Sequence, residues 1–331
     1  MDVFAHTESW PIAGTFTIAR GSKTAAEVIV VTVRDGGLTG MGECLPYPRY
    51  GQTPQGTLED IRAAATERGK LDRERLQALL PAGPARNAID CALWDLEARQ
   101  RRQPVWELAG LPEPVPVVTA LTIVLAEPAQ MREAAERHST RSLLKIKLGA
   151  GAERDVERLR AVRSGAPDAR LIVDANEGWS LGELERVAPV AADLGVEMIE
   201  QPLPATEDEA LDGYRSPVPL GADESLHART DLEALSRRYR VANIKLDKTG
   251  GLTAAISLQK RAEALGMDIM VGCMVATSLA MAPALLLAQT ARFVDLDGPL
   301  LLVRDRLPGL VYRDSRVGFP RQALWGAGKD T

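Results

Sequence analysis

Apolar and polar positions along this chain follow two different rhythms. From about Val115 onward, short apolar runs alternate with longer amphipathic segments. The runs are "VVTALTIV", "LLKIKLG", "ARLIVDAN", "VEMIEQP", "VPLGADE", "VANIKLD", "DIMVGCM" and "RFVDLDG". Most are separated by helical stretches such as "AERDVERLRAVRSGA" and "LGELERVAPVAADLG". Alternating β and α elements predict a parallel sheet. Eight strands in roughly 180 residues favour closure into a barrel. An open doubly wound sheet is the competing arrangement.

Before Val115 the pattern is mixed. "EVIVVTVRDGGLTGMGECLP" predicts two strands joined at the Gly36-Gly37 turn. Thr57 to Gln103 has helical composition, broken at "LLPAGPARNA". In "ARNAIDCALWDLEARQ", Ala88, Cys91, Ala92 and Asp95 share one helical face, with Ile89, Leu93 and Leu96 beside it. "GLPEPVPVV" is predicted to be a linker.

The polar residues then break the pattern in an informative way. In "LLKIKLGA", Lys145 and Lys147 are two apart, so a strand points both the same way. Leu144, Ile146 and Leu148 take the other face. Strand after strand ends in polar groups: "VDAN", "IEQP", "ADES", "IKLDK", "DLDG". In parallel barrels the C-terminal strand ends form the active site. Carboxylates gathered there would repel one another unless a cation lay among them.

Asp174, Glu200 and Asp223 fall at the ends of three successive strands, 26 and 23 residues apart. A single Asp is more often a helix cap. Three at β-α spacing favour a metal site. Oxygen ligands without Cys or His favour Mg²⁺, with Mn²⁺ as the alternative. Asn176 offers a further oxygen. Glu224, adjacent to Asp223, is expected to point away from it.

Lys245 lies on the sixth strand, with Asn243 and Asp247 on its face by alternation. Strands two and six of an eight-membered ring are opposed, so Lys147 and Lys245 are predicted to face each other across the mouth. Lysine is a poor base at neutral pH until burial or a neighbouring cation lowers its pKa. Lys145 and the metal would do this for Lys147, and Lys248 and the metal for Lys245. Two such lysines and a divalent cation suit proton abstraction α to a carboxylate. The plain alternative for Lys145 is a snorkelling surface lysine.

Bulk properties narrow the class. The chain has 331 residues, 45% hydrophobic and 26% charged, with net charge −5 and a pI near 5.5. That argues against nucleic acid as the main partner. No apolar run has the length of a membrane span, and the N-terminus lacks a signal-peptide pattern. Cys44, Cys91 and Cys273 are few and far apart, which predicts a reducing compartment without disulfides. His6, His138 and His227 have no ligand spacing, so any metal is expected to be held by oxygen.

The motifs "KIK", "VDAN", "EQP", "ADES" and "NIKLDKTGG", in this order, resemble the enolase superfamily in its muconate-lactonizing subgroup. The resemblance spans essentially the whole chain. It implies a modified (β/α)8 barrel, (β/α)7β, behind an N-terminal α+β capping domain. The divisions expected are 1–112 for the cap, with closing loops at about 14–25 and 43–53, then 113–300 for the barrel. Residues 301–331 would return to the cap. It implies Lys147 and Lys245 as the acid/base pair and Asp174, Glu200 and Asp223 as metal ligands. Lys145 would hold the substrate carboxylate, and Lys248 would lie behind the site.

Within the subgroup the chain is most similar to dipeptide epimerases, above all the L-Ala-D/L-Glu epimerases. Asp295 and Asp297 in "DLDG" match the pair that binds a dipeptide ammonium, a charge that needs a carboxylate. Arg20 in "ARGSKT" is expected to meet the glutamate side chain, although a solvated loop arginine fits the sequence equally. "GECLPYPRYGQT" would bring Arg49 and Tyr50 to the pocket, and "GCMVATS" would shape it through Cys273 and Met274. The resemblance thus implies a small dipeptide substrate, two-base proton transfer through a metal-stabilised enediolate, and cytoplasmic murein peptide metabolism. It is compatible with a homo-oligomer. Rival expectations are an epimerase of another dipeptide, a cycloisomerase or o-succinylbenzoate synthase, and, from another class, a Schiff-base aldolase.

Overall fold

The computed structural model describes residues 1–66, 71–228, 230–320 and 323–327. Parts of the expected C-terminal segment, 321–322 and 328–331, lie outside the described residues.

The chain opens with an antiparallel sheet of β1 (Asp2–Ile18), β2 (Gly21–Asp35) and β3 (Leu38–Cys44). The β2–β3 hairpin turns at Gly36-Gly37, both with positive φ, as the sequence predicts. β1 carries no hydrophobic alternation strong enough to reveal it. It is an edge strand, and most of its side chains are exposed or half-buried. Three helices follow: α1 (Pro54–Thr66), α2 (Arg73–Leu79) and α3 (Pro84–Arg101). α3 buries nearly every side chain and lies directly on β3. A Cβ at Gly40 or Gly42 would stand 2.1 Å from the carbonyl oxygen of Ala92 or Ala88, so only glycine permits this approach.

After α4 (Val105–Leu108) come β4 (Val117–Val118) and β5 (Leu121–Ile123), then α5 (Pro128–Arg137). The alternation continues through β6 (Leu143–Lys147), α6 (Ala152–Gly165), β7 (Arg170–Asp174), α7 (Leu181–Asp193), β8 (Val196–Glu200) and β9 (Leu220–Ala222). It ends with α8 (Leu232–Arg238), β10 (Val241–Ile244), α9 (Leu246–Thr249), α10 (Leu252–Ala264), β11 (Asp268–Val271), α11 (Ser278–Leu287) and β12 (Phe293–Val294). β5 to β12 form one parallel eight-stranded sheet in sequence order. Its two edges meet where the Ala120 amide donates to the Val294 carbonyl at 2.8 Å. Curling, not the open doubly wound alternative, is thus what the chain adopts.

One predicted run divides. "VVTALTIV" supplies two strands, because β4 leaves the barrel to pair with β14 (Arg316–Gly318), itself paired with β13 (Val311–Arg313). Thr119 marks the switch: its amide donates to Ser315 and the next residue's amide to Val294. Near the C-terminus, Trp325 Nε1 donates to the Cys91 carbonyl and the Gly326 amide to Asp95, so residues 325–326 rest on α3.

Side-chain alternation builds the barrel interior in layers. Ala120, Leu143, Ile172, Met198, Val241, Met270 and Phe293 form one buried apolar cluster. Two residues further along these strands lie Thr122, Lys145, Asp174, Glu200, Asn243, Gly272 and Asp295. Leu144, Ile146 and Leu148 belong instead to the large core under the helices. The two faces expected of "LLKIKLGA" are therefore realised.

Candidate active site

A cavity of about 600 Å³ lies over the C-terminal ends of the barrel strands. The capping elements contribute Phe16, Arg20, Lys23, Tyr47, Arg49 and Tyr50 to its lining. The barrel contributes Lys145, Lys147, Asn176, Asp223, Glu224 and Lys245, and Cys273, Met274, Asp295 and Asp297.

Strand register assembles the acids. Lys147 pairs with Asp174 across β6–β7, and Asp174 with Glu200 across β7–β8. Asp174, Glu200 and Asp223 are buried, and each offers an oxygen within 4.8 Å of the others'. Lys147 Nζ donates to Asp174 Oδ2 at 2.6 Å, and Lys245 Nζ to Asp223 Oδ2 at 2.5 Å. The lysines thus flank the trio from its two sides. Lys145 Nζ, 1% exposed, lies 3.2 Å from Asp174, 2.7 Å from Glu200 Oε2 and 2.8 Å from Asp295. Apart from this ammonium, Glu200 Oε2 has no donor among the described residues, and buried Asn176 Oδ1, Asn243 Oδ1 and Asp295 Oδ1 have none there either. Buried oxygens left unsatisfied are costly. Several of them beside three carboxylates make a donor set suited to a hard cation.

The electrostatics follow from this crowding. Burial and the charge of Asp174 push Glu200 up to about 7. Burial would also raise Asp174, but Lys147 and Lys145 outweigh it and hold that carboxyl low. Lys245 and Lys248 do the same for Asp223. Contrary to the lowering expected of Lys245, it is Lys248 beside the trio that is lowered, because burial exceeds the pull of Asp223. Lys145 and Lys245 are held well above the usual lysine value, because the carboxylates around them outweigh burial. Carboxylates, not neighbouring cations, are the nearest partners of both.

Several placements differ from sequence alternation. β10 stops at Ile244, Lys245 caps α9, and Asp247 lies in the helical turn beyond. Asp247 therefore faces the cap, accepting from Asn87 Nδ2 at 2.7 Å and the Leu45 amide at 3.2 Å. Burial pushes it up to about 7. Asn243 remains inward and donates to Glu200 Oε1 at 2.6 Å. Gly272 leaves it room, since a Cβ there would stand 2.6 Å from Asn243 Oδ1. Lys248 touches Asp223 directly. Asn176 has φ +46, past the end of its strand, and its amide donates to Asp174.

The expected closing loop at 14–25 is an extension of the β1–β2 hairpin, turning at Ala19-Arg20. Arg20 reaches the cavity, but its guanidinium is committed: Nη2 lies 2.6 Å from Glu224 and Nη1 3.1 Å from Glu177. Glu224 thus turns into the cavity, contrary to simple alternation, because β9 has ended at Ala222. Lys23, not singled out by the sequence reading, also lines the cavity. It is a half-buried ammonium over the Phe16 ring with no carboxylate partner among the described residues. Burial lowers it to about 8. "ARGSKT" carries both cations, and only the hairpin register separates them. Asp295 and Asp297 are buried together; burial and Asp295 push Asp297 up to about 7, and it accepts from the Thr122 amide at 2.7 Å. Tyr50 packs edge-on against His227. No described helix is long and apolar enough to cross a membrane.

Comparison with known proteins agrees with this architecture. Residues 1–110 match the mandelate racemase/muconate lactonizing enzyme N-terminal domain, and 128–318 the enolase C-terminal domain-like family. The chain is 47% identical to an L-Ala-D/L-Glu epimerase of Escherichia coli (strain K12), over 92% of this chain and 95% of that protein. It is 44% identical to an N-acetyl-D-glutamate racemase of Pseudoalteromonas sp, over 90% and 95%. It superposes with TM-score 0.94 on an enolase family member from Agrobacterium tumefaciens with homology to dipeptide epimerases, solved with sodium and L-Ala-L-Glu. That pair is 51% identical and covers 98% of this chain and 99% of the other. The chain belongs to the enolase superfamily, with the N- and C-terminal domains of its mandelate racemase/muconate lactonizing enzyme group.

Proposed function

We propose that this protein is a Mg²⁺-dependent dipeptide epimerase that inverts the α-carbon of the second residue of L-Ala-Glu. The observation that carries the reading is the placement of Lys147 and Lys245 on opposite flanks of three buried acids. Asp174, Glu200 and Asp223 would hold the cation, with Mn²⁺ able to substitute. When bound, the cation supplies positive charge beside the substrate carboxylate, which lowers the cost of removing the α-proton.

The chain's own groups do the rest. One of Lys147 and Lys245, in its neutral form, takes the α-proton; the other, as ammonium, returns a proton to the opposite face. Lys145 adds charge beside the substrate carboxylate. Asp295 and Asp297 provide two buried acids for the dipeptide's ammonium, and Asp295 Oδ1 has no hydrogen-bond partner among the described residues. An N-acylated amino acid has no such charge, so this pair favours a free dipeptide over the substrate in the racemase's name. Lys23 replaces Arg20 as the partner of the glutamate side chain, because Arg20 already has two carboxylates. Tyr50, Cys273 and Met274 shape the wall.

Incubating the protein with Mg²⁺ and L-Ala-L-Glu in D₂O should give L-Ala-D-Glu, with deuterium at the α-carbon of the second residue. Epimerisation without deuterium would overturn the two-base route. Faster turnover of N-acetyl-glutamate than of the dipeptide would overturn the substrate.

A further inference from the structure

Two capping arms reach the cavity from separate parts of the N-terminal region, and one carboxylate meets both. Glu177 stands on the loop after β7. Its Oε2 accepts from Arg49 Nε at 2.7 Å and from Arg20 Nη1 at 3.1 Å. Its Oε1 accepts from Arg49 Nη2 at 2.8 Å and from the Ala205 amide at 2.9 Å. Arg20 belongs to the β1–β2 hairpin tip, Arg49 to the segment after β3, and Ala205 to the loop after β8. The side chain is 6% exposed. Arg20 is further fixed by the Asn176 carbonyl at 2.6 Å and by Glu224.

The backbone pays for this placement. Asn176 and Glu177 have φ of +46 and +65, consecutive left-handed residues without glycine. Asn tolerates that region; Glu seldom adopts it. A glycine would relieve the conformation but would bring no carboxylate. The arginine fork against a carboxylate is directional and charge-assisted.

We propose that Glu177 is a positioning residue, a shared anchor that holds both arms over the cavity as one unit. It touches no reacting atom in this scheme. It acts through Arg20 and Arg49 on the arms that carry Lys23, Tyr47 and Tyr50, and so sets how firmly a substrate is retained.

Trypsin cleaves after Lys23 and Arg49, and Glu177→Gln leaves both cleavage sites intact. Native proteolysis of this variant should accelerate about tenfold at both sites, with barrel sites unchanged, as expected for losing several partly screened ion pairs. Acceleration at only one arm, at neither, or equally throughout the chain would overturn the proposal. Arg49→Gln supplies a second test. Cleavage after Lys23 should stay near wild type, since Arg20 keeps Glu177; an increase matching that of Glu177→Gln would show the arms braced by each other and refute the shared anchor. If Glu177→Gln does not fold, hydrogen exchange of the unaltered protein with rising NaCl decides. Residues 14–25 and 43–53 should loosen together while the barrel strands do not, and separate responses refute the proposal. These readouts need no substrate. A kinetic arm rests on the epimerase reading: KM for L-Ala-L-Glu should rise about tenfold while kcat changes less than about threefold, the split of an anchor acting on retention. An equal fall in kcat and kcat/KM would place Glu177 in the chemistry instead.

Discussion

Replacing Lys23 by Met separates recognition of the glutamate side chain from proton transfer. Burial brings the Lys23 ammonium down to about 8 from an ordinary 10.5. At about 1.4 kcal/mol per pH unit this corresponds to roughly 3 kcal/mol of lost hydration, less where solvent still reaches the side chain. A substrate carboxylate beside it returns part of that energy, and a hydrogen bond to a charged group contributes about 1.5–3 kcal/mol. Loss of the ammonium should therefore lower kcat/KM for L-Ala-L-Glu about 10- to 100-fold. L-Ala-L-Gln, similar in size and uncharged, should be affected less than about threefold. The assay is kcat/KM for both dipeptides in both proteins. Equal losses on the two substrates would show a general effect and refute the reasoning. The pH dependence adds a sign. The ratio of kcat/KM for the Glu over the Gln dipeptide cancels the catalytic lysines and reports the free enzyme's Lys23. It should fall as pH rises through about 8, where the ammonium is lost. A ratio that stays flat to pH 10 would refute the assignment.

Chelation with EDTA should abolish α-proton exchange, and Mg²⁺ should restore it and raise Tm; at one hundred times its Kd the ion adds about 2.7 kcal/mol. Exchange that survives chelation would remove the metal from the scheme. Lys147→Ala and Lys245→Ala should each lower epimerisation by about 10²–10⁴ and leave residual exchange in opposite epimers; residual exchange that is the same for both epimers would contradict the flanking arrangement. Asp247 is raised from 3.8 to about 7, so folding takes up a proton between those values and its carboxyl lowers stability as pH rises through the folded value. Asp247→Asn, which can still accept from Leu45, should flatten the fall in Tm between pH 5 and 8. Gly42→Ala forces a Cβ to 2.1 Å from the Ala88 carbonyl oxygen and should cost about 1–3 kcal/mol or more in thermal denaturation.

What was legible in the sequence follows from periodicity. All eight barrel runs and the three acids at strand ends are visible because β-α spacing repeats and carboxylates interrupt apolar runs. Lys145 and Lys147 take the predicted face because a strand of five residues keeps its alternation. Asp247 departs from the face that alternation predicts because the strand ends at Ile244, where the chain turns helical. Glu224 departs from it for the same reason beyond Ala222. Lys23 is not legible because no local pattern distinguishes it from Arg20. That difference is created by Glu177 and Glu224, which lie more than 150 positions further on. β1 is not legible because a mostly exposed edge strand has no need of a hydrophobic stripe.

The hairpin that carries Arg20 and Lys23 and the strands that carry Lys147 and Lys245 lie in different parts of the chain and meet over the cavity through a few contacts, among them the Leu125 amide on the Thr17 carbonyl and Arg20 on the Asn176 carbonyl. Natural variation can therefore change what the hairpin tip reads without disturbing the groups that move protons. Under the reading that Lys23 meets the substrate's second side chain, exchanging residues 19–25 between relatives should alter the preferred second residue while the stereochemical outcome stays the same.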